Sequence, residues 1–292
     1  MTLGGLRPGE PADRDAPSLE LPAGACDCHM HIIDRRFQFR KEAPHFEGDA
    51  TVSEYRVVQK RTGLARAIVV QPTHYGTDNT CLLFALDELG KDARGVAVVN
   101  PSVTQSELRD LDNGGVRGIR CRMTDRPTLD WNDIPLLANK IANLGWHLQF
   151  QMDGRQLAGR RSFLEKLPCD IVVEHTGKFF GPVEFDHPGC RALLQLIDTG
   201  RVWVKLSGLY NTSKVGPPSY EDLKPLTLLL LKHAPQRMVW ASDWPFVLTE
   251  RTSRPDVHDL LRVMLDWVPE DDLRRKLFSK NPEALYGFPA GG

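Results

Sequence analysis

A closed (β/α)8 TIM-type barrel, formed as a single domain, is the fold the sequence predicts, and three observations carry that reading. Short β-rich runs recur at 25–32, 66–72, 94–100, 116–123, 147–152, 170–175, 201–207 and 238–243, which makes eight strand candidates. The stretches between them are amphipathic and carry helix-start signals. No Gly-x-Gly-x-x-Gly follows the first run, so an open doubly wound sheet is disfavoured, while eight strand–helix units suit roughly 260 residues of barrel.

The first run, Cys26-Asp27-Cys28-His29-Met30-His31, alternates in character, and strand geometry then predicts Asp27, His29 and His31 on one face with Cys26, Cys28 and Met30 on the other. That alternation turns both cysteines away from the histidines and argues against a thiolate zinc site. The second run is Arg66-Ala67-Ile68-Val69-Val70-Gln71-Pro72, a short β-rich stretch. Between these two, residues 34–48 lack helical periodicity and are long for a loop, which favours a mouth or lid. Further along, Thr104 with Glu107 reads as a capping box, and Ser219 with Asp222 after Pro217-Pro218 as another helix start. Residues 1–22 are polar and rich in Pro, Gly and Asp and read as a flexible arm, 23–288 as the barrel, and 289–292 as a frayed tail.

Composition narrows the partners. With 37 basic and 38 acidic residues and a formal charge of −1, there is no electrostatic case for nucleic acid or an anionic membrane. No apolar run approaches the ~18 residues of a spanning helix, and no export signal is visible. Six scattered cysteines fit a reducing cytoplasm. A small-molecule partner is the remaining expectation.

In such barrels chemistry gathers at the C-terminal ends of the strands, and the unusual polar residues fall there. Strand one ends in His29 and His31, strand six in Glu174-His175, and strand eight in Asp243. Strand two runs into Gln71, Thr73, His74, Asp78 and Asn79; strand four ends in Arg120 and Arg122, with Arg126 following. Strand five carries Gln149 and Gln151, and strand seven Lys205 and Ser207. Each has a structural alternative: Asp243 as a turn cap, the arginines as rim charges paired with Asp125 or Asp130, Lys205 as the partner of Asp27 or Glu174. Two histidines on one strand with a third at His175 tip the balance toward a site.

With those residues in view, the chain resembles the amidohydrolase superfamily over about residues 24–288, and within it the branch of 2-pyrone-4,6-dicarboxylate lactonase, 4-sulfomuconolactone hydrolase and D-galactarolactone isomerase. The matching segments are the His-x-His run, Gln71-Pro72-Thr73-His74, Gly118-Ile119-Arg120, Glu174-His175-Thr176-Gly177-Lys178, Lys205-Leu206-Ser207-Gly208 and Ser242-Asp243-Trp244-Pro245. The resemblance implies that Arg120 and Arg126 bind substrate carboxylates. It departs at Lys178 and Asn211, where the dicarboxylate lactonase carries arginines, and it keeps His29 and Asp243, which the isomerase has replaced.

The expected reaction is hydrolysis of a small anionic, carboxylated lactone of the pyrone dicarboxylate, muconolactone or aldarolactone type. Asp243 is the expected base, with His29, His31 and His175 around it; Arg120, Arg126, Lys178, Thr73, Gln151 and Tyr210 are the expected substrate contacts. Three imidazoles and a carboxylate suit one divalent ion, zinc or manganese, held by His29, His31, His175 and Asp243, and the same imidazoles can serve without metal as hydrogen-bond donors. Strands four and five offer no lysine to be carbamylated between two ions. The alternatives are a sugar-acid lactone isomerase, a metal-dependent decarboxylase of an aromatic or muconate-like acid, and a binding protein that has lost its chemistry. Oligomeric state is not legible.

Overall fold

A computed structural model describes residues 19–289 except 125, 126 and 128. Eight strands, β1 (Cys26–Met30), β2 (Arg66–Val70), β3 (Ala93–Ala97), β4 (Val116–Arg122), β5 (His147–Gln151), β6 (Asp170–Val173), β7 (Val202–Leu206) and β8 (Met238–Trp240), form one sheet in sequence order. All seven neighbouring pairs are parallel. The barrel closes past the ends of β8 and β1, where His31 N donates to Trp244 O at 2.8 Å and Asp243 N to His29 O at 2.8 Å. Closure therefore fixes Asp243 beside the histidines.

The connecting helices are α1 (Val52–Thr62), α2 (Thr80–Leu89), α3 (Gln105–Asn113), α4 (Ile134–Ala142), α5 (Leu157–Leu164), α6 (Pro188–Asp198), the single turn α7 (Leu209–Thr212), α8 (Lys224–His233) and α9 (Val257–Trp267); α10 (Asp271–Arg275) and α11 (Asn281–Tyr286) follow. None of these is long and apolar enough to cross a membrane. The outer strand faces pack on the helices through residues such as Val69, Ile119, Leu148 and Val204. Cys26, Ile68, Val172, Trp203 and Val239 fill the interior instead, and Tyr286 and Phe288 plug it from below. The core is thus two-layered, and the upper interior is left to polar side chains.

Three sequence expectations need correction. The pairing of β1 with β2 shifts register between Asp27 and Met30, a bulge that breaks the simple alternation. Cys26 and Cys28 consequently face the interior below the histidines, while Asp27 points outward and accepts from Tyr55 of α1 at 3.1 Å and from Ser242 Oγ at 2.5 Å. Ser219 and Asp222 cap no helix: the Asp222 carboxylate instead accepts from Ser213 Oγ at 2.5 Å and Lys214 N at 2.7 Å. Leu19 and Leu21, which the sequence assigns to the arm, are partly buried against the core; residues 1–18 and 290–292 lie outside the described residues.

The capping box at Thr104 and Glu107 forms, and a second one joins Thr51 and Glu54 at the start of α1. Replacing Thr51 with Ala is expected to cost about 1 kcal/mol, read by urea denaturation. An unchanged midpoint would mean the helix start is held by packing alone.

Candidate active site

The upper interior is assembled from the ends of several strands. His29 and His31 follow the bulge of β1, Gln149 and Gln151 lie on β5, Lys205 on β7, and Glu174, His175 and Lys178 follow β6. Several of these residues sit in the left-handed region: φ is 54° at His175, 53° at Thr176, 46° at Lys178 and 65° at Asp243. Non-glycine residues there store strain, and such strain concentrates where side chains must be aimed. Gly208 at φ 71° is required twice over, because a Cβ there would lie 2.8 Å from His175 Cβ.

Around Asp243 the groups converge. Its Oδ1 lies 3.5 Å from Nε2 of both His29 and His31, and its Oδ2 accepts from Tyr210 OH at 2.6 Å and lies 3.9 Å from His175 Nε2. The two strand-one imidazoles face each other at 3.3 Å between Nε2 atoms. Burial pushes the Asp243 carboxyl up, but the imidazole cluster around it, His175 foremost, overrides it and holds the group below the usual carboxylate range. Burial, reinforced by Lys205, drives His29 well below its ordinary value, so this ring is neutral.

Beneath lies an ionic layer. Arg120 forks onto Glu174 at 3.0 and 3.2 Å and donates to Gln71 O at 3.1 Å. Burial opposes ionisation of Glu174, but Arg120 prevails and keeps its carboxyl well below the usual range. The guanidinium expected to grip a substrate carboxylate is therefore committed largely to the protein, although it still borders the cavity. Among the described residues Lys205 makes no salt bridge to the expected Asp27 or Glu174; it donates to Cys28 O and Gln149 Oε1, each at 2.6 Å, and burial lowers its ammonium to about 8. Asp27, the other expected partner, is on the outer side, where burial raises it to about 6 despite its hydrogen bonds to Ser242.

Above the cluster opens a cavity of about 550 Å³, bordered by His31, Thr73, Gln151, Lys178, Tyr210 and Asp243. Gln151 Nε2 lies 3.3 Å from His175 Nε2. Arg40, Glu42, Ala43 and Pro44 from the 34–48 segment form part of the mouth, as do Phe180, Val247 and Leu248. Alternation and motif spacing give no signal for Val247 and Leu248, because an apolar residue in a loop looks like any other. Lys178 is buried and, among the described residues, its ammonium makes no salt bridge; it lies 5.6 Å from the Phe180 ring centroid. Arg126 lies outside the described residues.

The ligand atoms of His29, His175 and Asp243 lie within 4.8 Å of one another, close enough for one divalent ion. Fit also depends on the far side of each ring, because a ligating imidazole donates its other N–H to a carbonyl or carboxylate. His31 Nδ1 does so, at 2.7 Å from Val70 O. His29 does not: its Nδ1 faces the amide nitrogen of Gln149 at 3.5 Å. The distances admit an ion, but the hydrogen bonding at His29 opposes one.

An eight-stranded parallel barrel that brings together two histidines from the end of its first strand, a third from after its sixth and an aspartate from after its eighth has the layout of a barrel enzyme. The chain belongs to the amidohydrolase family, whose model matches residues 26–288. It is 31% identical over 288 residues to a 2-pyrone-4,6-dicarboxylate hydrolase of Comamonas testosteroni, covering 94% of each chain. It is 29% identical over 274 residues to a D-galactarolactone isomerase of Agrobacterium fabrum, covering 93% of this chain and 94% of the isomerase. A crystal structure of an Agrobacterium tumefaciens protein, solved without ligand, superposes with a TM-score of 0.86 at 29% identity, covering 92% of this chain and 95% of that one.

Proposed function

We propose that this enzyme hydrolyses a small carboxylated lactone. One observation carries the reading: a single cavity joins an ionised aspartate ringed by imidazoles to a buried ammonium that has no salt bridge among the described residues. Lactone opening needs a water, a base beside it, and donors for the oxyanion. Asp243 takes the water's proton, with Tyr210 holding Oδ2 so that Oδ1 stays toward His29 and His31. The water oxygen bonds to the carbonyl carbon while an imidazole N–H stabilises the carbonyl oxygen as it becomes negative; the ring C–O bond then breaks, its oxygen takes the proton from Asp243, and the new carboxylic acid releases its own proton to solvent. Lys178 holds the substrate's carboxylate, with Thr73 and Gln151 bordering the same space. His29 and Asp243 are both retained, which supports hydrolysis over isomerisation.

A lactone panel followed by proton release tests this, run on chelator-treated and on zinc- or manganese-supplemented protein. Ring opening with one proton released is the expected result. Carbon dioxide release would make the enzyme a decarboxylase, and product formation without water uptake an isomerase. Replacing Lys178 with Met is expected to raise KM for carboxylated lactones by roughly 10–100-fold and to leave that for uncharged lactones unchanged, the scale of one charged hydrogen bond. Equal effects on both would remove Lys178 from carboxylate recognition. The six cysteines, all unpaired and buried, support a reducing cytoplasm as its compartment.

A further inference from the structure

Under the three imidazoles sits an amide whose orientation is dictated from both ends. Lys205 Nζ lies 2.6 Å from Gln149 Oε1, and an ammonium can only donate, so the Gln149 oxygen faces it. At the other end Gln149 Nε2 lies 2.6 Å from Glu174 Oε1, and a carboxylate kept ionised by Arg120 can only accept. Turning the amide over would set oxygen against carboxylate and NH2 against ammonium. The amide is locked.

Its remaining N–H faces His29 Nδ1 at 3.5 Å. A neutral imidazole has one proton, and an Nδ1 that accepts leaves it on Nε2. That Nε2 faces Asp243 Oδ1 at 3.5 Å and His31 Nε2 at 3.3 Å. His31 is set the opposite way, because the Val70 carbonyl takes its Nδ1 proton at 2.7 Å. Two adjacent imidazoles thus present opposite polarities: His29 a donor, His31 a lone pair.

We propose that Gln149, clamped between Lys205 and Glu174, is a positioning residue that fixes His29 as an Nε2–H donor aimed at the reaction centre, in place of a metal ligand. The aspartate then faces a preset N–H that reaches the developing oxyanion without rearranging, the condition under which such donors contribute most. The catalytic consequence rests on the lactone-hydrolysis reading. The tautomer does not.

The test is nitrogen NMR on the full chain labelled with 15N-histidine, with the His29 signals assigned by their loss in His29→Gln. Nδ1 without a proton and Nε2 with one is the expected state. Gln149→Glu places an acceptor against Nδ1; the tautomer is then expected to reverse, and zinc affinity, titrated with zinc chloride by calorimetry, to rise roughly 10–100-fold as the outer partner becomes one that suits a ligand. In the same variant kcat should fall roughly 10²–10³-fold, the effect of losing one oxyanion donor, with KM little changed. A purely structural Gln149 would leave the tautomer and the zinc affinity where they were. A wild-type His29 protonated on Nδ1 overturns the proposal, even if Gln149→Glu fails to fold; so does a folded Gln149→Glu protein that binds zinc no more tightly. An enzyme inactive on every lactone that still shows the expected tautomer sinks only the lactone reading.

Discussion

Asp243→Asn is expected to lower kcat by roughly 10²–10⁴-fold, the usual worth of a positioned general base, while lactone binding stays measurable by calorimetry. The asymmetry follows from the layout. Asp243 sits at the floor of the cavity among imidazoles, whereas the group proposed to hold the substrate's charge is Lys178 on its wall. An amide keeps the shape and can still meet Tyr210, but it cannot take a proton from water. The pH profile gives an independent check. Burial works against the carboxylate, yet the imidazole cluster, His175 foremost, keeps it ionised below the usual range. Protonation of Asp243 should therefore not limit kcat/KM anywhere near pH 4–5, where an ordinary carboxylate titrates. Turnover retained in the variant would remove Asp243 as base; an acid limb in that range that disappears in the variant would show an unperturbed carboxylate.

Much of this architecture is written locally. The eight strands are visible because buried parallel strands need apolar or β-branched runs such as Ala67-Ile68-Val69-Val70, and the strand tips stand out because polar residues are costly there without a purpose. The convergence of His29, His31, His175 and Asp243 was legible for the same reason. What could not be read was whatever depends on register or on distant partners. One inserted residue in β1 sent Asp27 to the helix side, and period-two alternation has no means of announcing a bulge. Arg120 looked like a substrate clamp because its partner, Glu174, stands 54 positions away and looked like one more polar strand end. Gln149 shows in the sequence only as another polar residue near a strand end, since an amide's orientation emerges only from its neighbours after β6 and on β7.

The Arg120–Glu174 pair supports the largest stability prediction. Both side chains are buried, Arg120 at 5% exposure and Glu174 at 0%, and the two hydrogen bonds between them are backed by Gln71 O on one side and the Gln149 amide on the other. Arg120→Met leaves a buried carboxylate with its main counter-charge gone, and a loss of about 3–5 kcal/mol is expected by urea denaturation. Glu174→Gln in the same background removes the stranded charge, so the double variant should recover part of that loss. The non-additivity is the informative quantity, because it separates the cost of an orphaned charge from lost packing. Were Arg120 chiefly a substrate clamp, its replacement would raise KM with little change in stability, and Glu174→Gln would not rescue it. Strict additivity would place the contribution of Arg120 in its aliphatic stem. Strong coupling would mean that the layer beneath the imidazoles folds as one ionic unit, which is the condition Gln149 needs if its amide is to stay locked.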